Sequence, residues 1–377
     1  MKKLIVIYRT VFLLPSEAFI PSQLSGIYKF DFNIWFRDPF GDLMQNMADK
    51  SFCVVGKSSL IRRILFTIFG VAQIKQLPEL IHAHFGPDAA MILPLAKRKK
   101  LPLVVTYHGF DAQQSRCSLL RSKKLSNLLY LLREKALFSY SSRILAVSEY
   151  LRQCLIKRGC PSEKLIVHYI GVDTEKFNVG FEPKLPNRIV NVSRHVEWKG
   201  VDTILRAMAI LIKKYPDLQL VQIGSGSETK ELLHLAEQLG VSRNIIWCGA
   251  LPHESVLAEL HRATLYVHAS RKDSKGQTEA FGIALIEAQA CGLPVLTTRS
   301  GGIPEAMVEY ETGLMYEEND FNELALQVDK LLSSPETIVL MANNARNFVV
   351  NQFEVRSCSA KLEKIYEEVI DEYRVKE

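Results

Sequence analysis

The chain has 377 residues, 47% apolar and 23% charged, with 47 Lys and Arg against 41 Asp and Glu. This length suits about two domains of ~150 residues, and the composition excludes wholesale disorder, a collagen-like repeat and a small disulfide scaffold. The net charge of +6 is uneven, because residues 1–180 carry 26 basic and 13 acidic side chains while residues 181–377 carry 21 and 28. A basic and an acidic half predict two domains with different partners.

The start of the chain and its cysteines indicate a cytosolic protein. Seven scattered cysteines without a C-x-x-C pair are typical of reduced thiols. The apolar run after Lys3 is cut short by Arg9 and no small-residue cleavage site follows, so it predicts a buried strand rather than a signal peptide. No stretch reaches the ~20 apolar residues of a membrane-spanning helix.

Short β-branched runs alternate with helical patterns along the chain, which predicts an α/β fold with parallel sheets and right-handed crossovers. The runs lack strict alternation, as expected for strands covered by helices on both faces. Strands are predicted over residues 4–8, 80–85, 103–107, 143–147, 165–170, 188–192, 218–223, 245–248, 265–268 and 294–297.

Residues 178–187 contain two prolines and a glycine without periodicity and are interpreted as a linker. The strand pattern restarts after it, so we predict two doubly wound domains, over residues 1–178 and 188–355. The charged amphipathic helix of residues 356–377 either caps the second domain or returns to the first.

Two basic, apolar segments lie in the first half, at residues 57–75 and 116–135. The first combines an apolar helical face with flanking cations: Leu60, Ile64, Ile68 and Ala72 with Lys57, Arg62 and Arg63. Such a helix can lie on an anionic bilayer. The alternative is a core-facing helix with snorkelling basic ends, but the basic balance of this half favours the membrane.

Histidines end two predicted strands of the first half. His82 and His84 share one strand face, a spacing that metals sometimes use, but no cysteine or carboxylate partner is nearby, so packing is the better interpretation and no metal is predicted. His108 and Asp111 flank a turn at Gly109, at the carboxyl end of a strand, where they either face a cleft or are packed polar residues.

A cationic loop, Ser193-Arg-His-Val-Glu-Trp-Lys-Gly200, follows the strand at 188–192. Ligands of open α/β sheets bind at such strand ends. These two cations suit the binding of a diphosphate, because the Arg194 guanidinium can donate two hydrogen bonds at once and Lys199 adds a point charge. The alternative is that the segment is an ordinary solvated loop.

The segment from Ile223 to Ser227 also joins a strand to a helix, but it lacks the third glycine of a dinucleotide fingerprint. It is interpreted as a tight turn in which Gly224 lets the backbone approach a phosphate.

Two carboxylates, Glu279 and Glu287, flank the start of an apolar helix that ends at Gly292-Leu-Pro294. The backbone N–H groups of Phe281, Gly282 and Ile283 would point out of the helix N-terminus and bind an anion or a hydroxyl. Glu287 could accept a bidentate bond from a ribose diol. The alternative is that Glu279 only complements the dipole of the helix and that Glu287 is a solvated residue of that helix. The surrounding glycines favour a binding site.

Together these motifs resemble the family-4 retaining glycosyltransferases of the GT-B fold, in which two Rossmann-like domains face a central cleft. The matching motifs are R-x4-K at Arg194 and Lys199, E-x7-E at Glu279 and Glu287, the turn 301–305, residues 170–177, and the histidine motifs at His84 and His108. Within the family the chain looks most like bacterial exopolysaccharide, colanic-acid and O-antigen or lipopolysaccharide transferases; residues 15–20 resemble an S-E-T-F-I stretch found there.

The resemblance implies a role for each matching residue. Arg194 and Lys199 hold the donor diphosphate, Glu287 the ribose, and Glu279 with the N–H groups of Phe281, Gly282 and Ile283 the donor sugar. His108 lies beside that sugar, Gly249 and Leu251 lie near the base, and acceptor-side residues in the N-terminal domain are Glu17, His84 and Asp111. The catalytic set is thus His108, Arg194, Lys199 and Glu279, without metal or cofactor.

The predicted function is transfer of a hexosyl group from a nucleotide-diphosphate sugar to a lipid-linked or polysaccharide acceptor. The enzyme would be a peripheral protein on the cytoplasmic face of the inner membrane, docked on anionic lipid, with no nucleic-acid partner. The alternatives are a sugar-nucleotide epimerase of the same architecture and a sugar-nucleotide or glycan-binding protein without turnover. Arg194 and Lys199 weigh against the epimerase, and the intact set of site residues weighs against the binding protein.

Overall fold

The computed structural model describes residues 2–11, 17, 19–38, 50–56, 60–181 and 183–376. The chain forms two compact units. The first unit comprises Met1–Gly171 and Val355–Glu377, and the second unit comprises Val172–Glu354. Each unit contains one parallel sheet, which confirms the predicted α/β class.

The first unit is built on a seven-stranded sheet of order β3-β2-β1-β4-β5-β6-β7. Its elements before the second unit are β1 Lys3–Val11, α1 Phe19–Ser25, β2 Phe30–Asp38, β3 Ser51–Cys53, α2 Leu60–Phe69, β4 Leu80–His84, α3 Gly86–Lys99, β5 Leu103–Tyr107, α4 Phe110–Gln113, α5 Arg116–Arg121, α6 Leu125–Tyr140, β6 Arg143–Ala146, α7 Glu149–Lys157 and β7 Leu165–Val167.

The central strands β4 and β5 are buried at every residue, and this explains their unbroken apolar runs. Strands β2 and β3 were not predicted. In β2, Asp31 and Asn33 interrupt the apolar run, and apart from Phe30 only Ile34, Trp35 and Phe36 are buried. β3 is three residues long, too short to give a sequence pattern.

The second unit is built on a six-stranded sheet of order β10-β9-β8-β11-β12-β13. Its elements are β8 Arg188–Val192, α8 Val201–Leu211, β9 Gln219–Ile223, α9 Thr229–Gln238, β10 Ile245–Gly249, α10 His253–Arg262, β11 Leu265–Val267, α11 Ile283–Ala290, β12 Val295–Thr298, β13 Gly313–Tyr316, α12 Phe321–Leu332 and α13 Pro335–Phe353. β13 is a further strand that was not predicted.

The strand order of the second unit reverses between β8 and β11. Successive connections run outward from β8 through β9 to β10, and then return to the other side of β8 at β11. The crevice at the carboxyl ends of strands around such a switch point is the usual ligand site of open α/β sheets. The loops after β8 and β11 are therefore adjacent at that edge.

The boundary between the units falls at Gly171, not at the predicted residue 178. Arg346 of α13 explains the difference, because its guanidinium donates hydrogen bonds to the carbonyl oxygens of Thr174, at 2.9 Å, and Phe177, at 2.6 Å. These bonds fasten the start of the predicted linker to the second unit.

The last helix, α14 Val355–Lys376, packs on the first unit. Leu362, Tyr366 and Val369 are buried in the same apolar cluster as Ile5 and Ile34 of that sheet. The Ser359 hydroxyl donates to the Gln23 carbonyl at 2.8 Å, so polar contacts also fix the helix. Among the described residues, none of the helices has the length and apolarity needed to cross a bilayer.

We expect Leu362→Ala to destabilise the first unit by about 2–5 kcal/mol, because it leaves a cavity under α14. Val375→Ala on the same helix is the control: its side chain is 87% exposed, and the change should stay within about 0.5 kcal/mol. Urea unfolding of the full chain measures both. Equal, small effects would show that α14 is not part of this core.

Candidate functional site

Two cations lie on one aromatic ring in the loop after β8. The guanidinium carbon of Arg194 is 5.6 Å from the ring centroid of Trp198, and Nζ of Lys199 is 4.3 Å from the same centroid. Arg194 is exposed and forms no ion pair with any residue that the structure describes. The predicted pair is thus brought together, with the arginine fork open to a ligand.

Gly200 brings this loop against the segment that follows β11. Its φ is +61°, and a Cβ there would lie 2.0 Å from the carbonyl oxygen of Ala269. Only glycine tolerates both the left-handed backbone and this approach. The neighbouring Lys199 forms an ion pair with Glu279, and the two side chains are only 12% and 13% exposed.

Glu279 is further held by a histidine and a serine at the end of β11. Nε2 of His268 lies 3.2 Å and Oγ of Ser270 lies 3.3 Å from Oε2 of Glu279. Burial alone would raise the pKa of Glu279, but Lys199 and His268 outweigh it and hold the pKa well below its usual range. Glu279 is therefore an ionised, nearly buried carboxylate.

The N-terminus of α11 carries backbone donors beside this carboxylate. Gly282 caps the helix with φ +103°, and Phe281 is buried against Phe353, with ring centroids 5.2 Å apart. Within the described residues, no acceptor is bonded to the N–H groups of Gly282 and Ile283. Both donors remain available to a ligand, as predicted for a helix N-terminus.

Glu287 is half-buried in α11. Burial raises the pKa of its carboxyl from the usual 4.5 to about 7, and Lys176 opposes the shift. Burial, and then the charges of Glu287 and Glu279, raise the pKa of the Tyr266 phenol. The two carboxylates thus act on the same side chain, but the pKa of Glu279 is lowered and that of Glu287 is raised.

The remaining donor-side positions lie in loops of the same edge. Gly224 has φ +132°, and a Cβ there would meet the Ser193 carbonyl at 1.9 Å. The N–H of Gly224 donates to the Gly249 carbonyl at 2.7 Å. Gly249 and Leu251 are half-buried after β10. The tight turn predicted at Gly224 is thus present.

In the first unit, the predicted histidines form a buried stack. The His82 and His84 rings lie 4.4 Å apart and the His84 and His108 rings 5.2 Å apart. Nδ1 of His84 is 2.9 Å from Nε2 of His108. Burial, and then neighbouring histidines or Arg9, lower the pKa values of His84 and His108 well below the usual range, so both rings are neutral.

His82 is hydrogen-bonded on both ring nitrogens, to the Tyr366 hydroxyl at 2.6 Å and the Thr106 hydroxyl at 2.7 Å. Its side chain is thus a satisfied packed residue. Among the described residues, no group of three or more His, Cys, Asp or Glu is placed to hold a metal ion.

Asp111 and Glu17 are both buried but occupy different environments. Asp111 accepts hydrogen bonds from the N–H groups of Gly86, at 2.9 Å, and Gly109, at 3.0 Å, and burial raises its pKa to about 6. It fixes the turn beside His108. Glu17 accepts from Nε of Arg9 at 3.2 Å.

Several side chains of these sites were not predicted from the sequence. Arg9 lies 4.3 Å from the Phe85 ring centroid, and Phe85 lies 4.5 Å from the His108 ring. Phe85 has φ +70°, a strained conformation that costs about 1–3 kcal/mol and is typical of functional sites. In the second unit, His268 and Ser270 were missed, although the place of His268 at the end of a predicted strand, and of Ser270 just after it, was a usable signal.

Comparison with protein families agrees with this geometry. The sequence model described as "Glycosyl transferases group 1" matches residues 172–348, and that of "Glycosyltransferase Family 4" matches residues 47–176. The matches together span residues 47–348 and include the Arg194, Lys199, Glu279 and Glu287 motifs. The chain belongs to glycosyltransferase family 4. The predicted reaction class, sugar transfer from a nucleotide sugar, is that of this family.

Two relatives show which proteins this glycosyltransferase resembles in sequence. The GDP-mannose-dependent alpha-(1-6)-phosphatidylinositol monomannoside mannosyltransferase of Mycolicibacterium smegmatis is 27% identical over 74% of this chain and 75% of its own length. The amylovoran biosynthesis glycosyltransferase AmsK of Erwinia amylovora is 28% identical over 77% of this chain and 70% of its own length.

Among solved structures, Anabaena Alr3699/HepE in complex with UDP has the same fold. It superposes with a TM-score of 0.77 at 18% sequence identity, covering 97% of this chain and 100% of HepE. The GT-B fold predicted from the motifs is confirmed.

Glu287 predicts a measurable pH dependence of stability. Because burial raises its folded-state pKa above the usual value, the native state loses stability as the pH rises through about 7. The loss takes place between about pH 4.5 and pH 7, so Glu287→Gln should gain stability over the wild type at pH 8.5 relative to pH 4.5, measured by thermal unfolding. The same change at exposed Glu311 is the control, and a gain that is independent of pH would contradict the buried-carboxyl account.

Proposed function

We propose that this glycosyltransferase moves a hexosyl group, with retention of anomeric configuration, from a nucleoside-diphosphate donor to a hydroxyl of a lipid-linked or polysaccharide acceptor. It would act in bacterial surface-glycan biosynthesis. The observation that carries the proposal is the meeting of Arg194, Lys199 and Glu279 at the switch point of the second unit's sheet. Two cations beside one ionised carboxylate match a diphosphate joined to a polyhydroxylated sugar.

Arg194 and Lys199 are the diphosphate ligands in this proposal. The open Arg194 fork can bind two phosphate oxygens at once, and Lys199 adds a point charge. Both interact more strongly with the phosphates as negative charge grows on the departing nucleotide, so they stabilise the transition state more than the ground state. Their charge serves the purpose that a bound metal serves in other transferases.

The rest of the second unit supplies the sugar and nucleoside contacts. Glu279 accepts hydrogen bonds from hydroxyl groups of the donor sugar, and the N–H groups of Gly282 and Ile283 donate hydrogen bonds to the same sugar. When it is ionised, Glu287 accepts hydrogen bonds from the ribose hydroxyls. Gly249 and Leu251 lie near the base, and Gly224 lets the backbone approach the phosphates.

The acceptor is assigned to the first unit, with Glu17, His84 and Asp111 on its side, and His108 of the same unit is assigned to the donor sugar near the reacting carbon. Phe19 lies 4.8 Å from the His108 ring, and Phe85 contributes a second aromatic face. Nδ1 of His108 is buried and has no hydrogen-bond partner among the described residues. Glu17 forms an ion pair with Arg9. His84 and Asp111 hold His108 and its turn in place.

Transfer proceeds by attack of the acceptor hydroxyl on the face from which the phosphate leaves. The bond from the anomeric carbon to phosphate oxygen breaks, the bond to acceptor oxygen forms, and the hydroxyl proton passes to the departing phosphate. A double displacement through two carboxylates, as in retaining hydrolases, is disfavoured because Glu279 is paired with Lys199 and Glu287 is assigned to the ribose.

Two relatives and one structure support the choice of substrates. The mycobacterial relative is named for GDP-mannose and a phosphatidylinositol monomannoside, and the Erwinia relative for amylovoran biosynthesis. The HepE structure holds UDP. A lipid-linked or polysaccharide acceptor is consistent with these names.

The decisive variants are Arg194→Ala and Lys199→Ala, each of which should lower turnover by roughly 10²-fold or more. Arg194 is exposed in a loop, so its replacement should leave the fold intact. Lys199→Ala leaves Glu279 without its cation, so circular dichroism must first show that this variant is folded. Arg206→Ala and Lys213→Ala, at exposed cations of the same unit, are the matched controls. Near-normal activity of either site variant would remove the diphosphate assignment.

Sugar-labelled UDP-glucose and GDP-mannose, after a thermal-shift screen for binding, separate the three functional classes. Label in a lipid or glycan supports a transferase. Release of a free epimer supports the epimerase, and binding without release supports a binding protein.

We further propose that the first unit docks on the cytoplasmic face of the inner membrane. Helix α2 exposes most of its apolar residues, with Leu60 73% and Phe69 59% exposed. The neighbouring α6 also exposes apolar residues, and its Arg133 donates to the Thr67 carbonyl of α2 at 2.8 Å. The exposed apolar residues of α2, α5 and α6, here called the apolar patch, are Leu60, Ile61, Ile64, Leu65, Ile68, Phe69, Leu120, Leu125, Leu128 and Leu132.

The structure changes the set of cations expected at the bilayer. Arg63 forms an ion pair with Asp38 at 2.9 Å and so is directed to the protein; Lys57 and residues 15, 16 and 18 lie outside the described residues. Exposed cations near the apolar patch are Arg62, Arg121, Lys123 and Lys124. Each cation near an anionic surface contributes about 1 kcal/mol, so the apolar patch and these charges together support reversible binding.

Replacing Leu60, Ile64 and Ile68 by Asp should release the protein from phosphatidylglycerol-containing vesicles at low salt. Leu326, Val339 and Leu340 of the second unit, each 61% exposed, replaced by Asp, provide the control. Wild-type sedimentation with vesicles should also fall steeply as salt rises. Undiminished binding of the first triple variant would place the membrane contact elsewhere.

A further inference from the structure

Among the described residues, the polar contacts of the Glu279 side chain converge on one of its two carboxylate oxygens. Lys199, His268 and Ser270 each contact Oε2. In the described part of the chain, no group is hydrogen-bonded to Oε1. Since each carboxylate oxygen can accept about two hydrogen bonds, Oε1 keeps its full accepting capacity.

The segment that carries two of these contacts is itself rigidly held. His268 is 1% exposed, its carbonyl accepts from the Tyr316 hydroxyl at 2.9 Å, and its ring stacks on Tyr266 with centroids 6.1 Å apart. The Thr298 hydroxyl donates to the carbonyl of Ser270. These contacts come from three strands, so residues 268–270 keep their position even if the carboxylate of Glu279 rotates.

The hydrogen-bond pattern also fixes the charge and tautomer of His268. Burial, and then Lys199, lower the pKa of His268, so the ring is neutral. Nε2 lies 2.7 Å from Oγ of Ser270 and 3.2 Å from Oε2 of Glu279. An ionised carboxylate can only accept, so the proton is on Nε2 and is shared between these two oxygens. The Ser270 hydroxyl can then donate to Glu279.

The proposed function places conflicting demands on Lys199. Its ammonium is paired with Glu279, yet it must also bind the donor diphosphate, which carries more charge than one carboxylate. When Lys199 turns to the diphosphate, Oε2 of Glu279 loses the one charged partner that it has among the described residues. Without other donors, a nearly buried carboxylate would rotate or recruit a sugar hydroxyl with the wrong oxygen.

We propose that His268 and Ser270 are positioning residues that hold Oε2 of Glu279 once Lys199 binds the diphosphate, so that Oε1 accepts a hydroxyl of the donor sugar. The inference rests on the proposed function and adds two residues to it. Neither residue contacts the substrate. Both act through the orientation of Glu279, so their effect falls on the sugar and not on the nucleotide.

The test compares His268→Leu, His268→Gln and Ser270→Ala with the wild type of the full chain. Calorimetry with UDP and GDP measures the affinity for the bare nucleotide, and kcat and KM are measured with UDP-glucose and GDP-mannose. The control is His261→Leu, a half-buried histidine of α10 whose Nε2 lies 2.8 Å from the Asn178 carbonyl.

His268→Leu should lower kcat/KM by up to about 10²-fold, the usual cost of a misplaced contact, without changing the affinity for the bare nucleotide. His268→Gln should recover most of this loss, because its amide N–H can donate to Oε2. Ser270→Ala should lie between them, and His261→Leu should resemble the wild type. If His268→Leu does not fold, the loss in Ser270→Ala with unchanged nucleotide affinity carries the test.

Two results would overturn the inference: unchanged kcat/KM in His268→Leu and Ser270→Ala, or a loss of bare-nucleotide affinity equal to the loss for the nucleotide sugar. The second result would indicate a purely structural role. Failure of the wild type to bind or turn over any nucleotide sugar would instead contradict the proposed function, so the two failures are distinguishable.

Discussion

The ion pair between Lys199 and Glu279 is the contact on which the donor site depends. Two charges that are almost removed from water are stable only if they are paired and hydrogen-bonded. The close approach of Gly200 to the Ala269 carbonyl brings the loop after β8 against the loop after β11 and makes the pair possible. The pair keeps both charges in place, and a diphosphate offers Lys199 a stronger partner.

Burial has different consequences for the candidate site residues of the two units. In the second unit, Glu279 keeps its charge because Lys199 and His268 surround it. In the first unit, the stacked rings of His84 and His108 stay neutral, because burial and Arg9 disfavour a further positive charge. The donor-side carboxylate is therefore charged and the His108 ring is neutral, although the first unit also buries Arg9 in ion pairs with Glu17 and Asp88.

The sequence predicted most of the second unit and less of the first. Motifs with glycines at close approaches, such as Lys199-Gly200 and Phe281-Gly282, specify both a turn and a functional side chain. Arg194 and Lys199 could therefore be placed at a strand end and Glu279 in the loop before a helix. Strand β2 was missed because Asp31 and Asn33 lie within it. The unit boundary was misplaced because Arg346, distant in sequence, fastens residues 174–177. His268 belongs to no motif, and its role emerges only from contacts across the loop.

The most direct test of this account is the affinity of Glu279→Ala for a bare nucleotide and for its nucleotide sugar. If Glu279 occupies Lys199 until the diphosphate replaces it, removing the carboxylate frees the ammonium. Calorimetry should then show UDP or GDP, whichever binds the wild type, bound at least as tightly as in the wild type, and UDP-glucose or GDP-mannose bound more weakly. Equal weakening for the bare nucleotide and the nucleotide sugar would contradict the exchange of partners at Lys199.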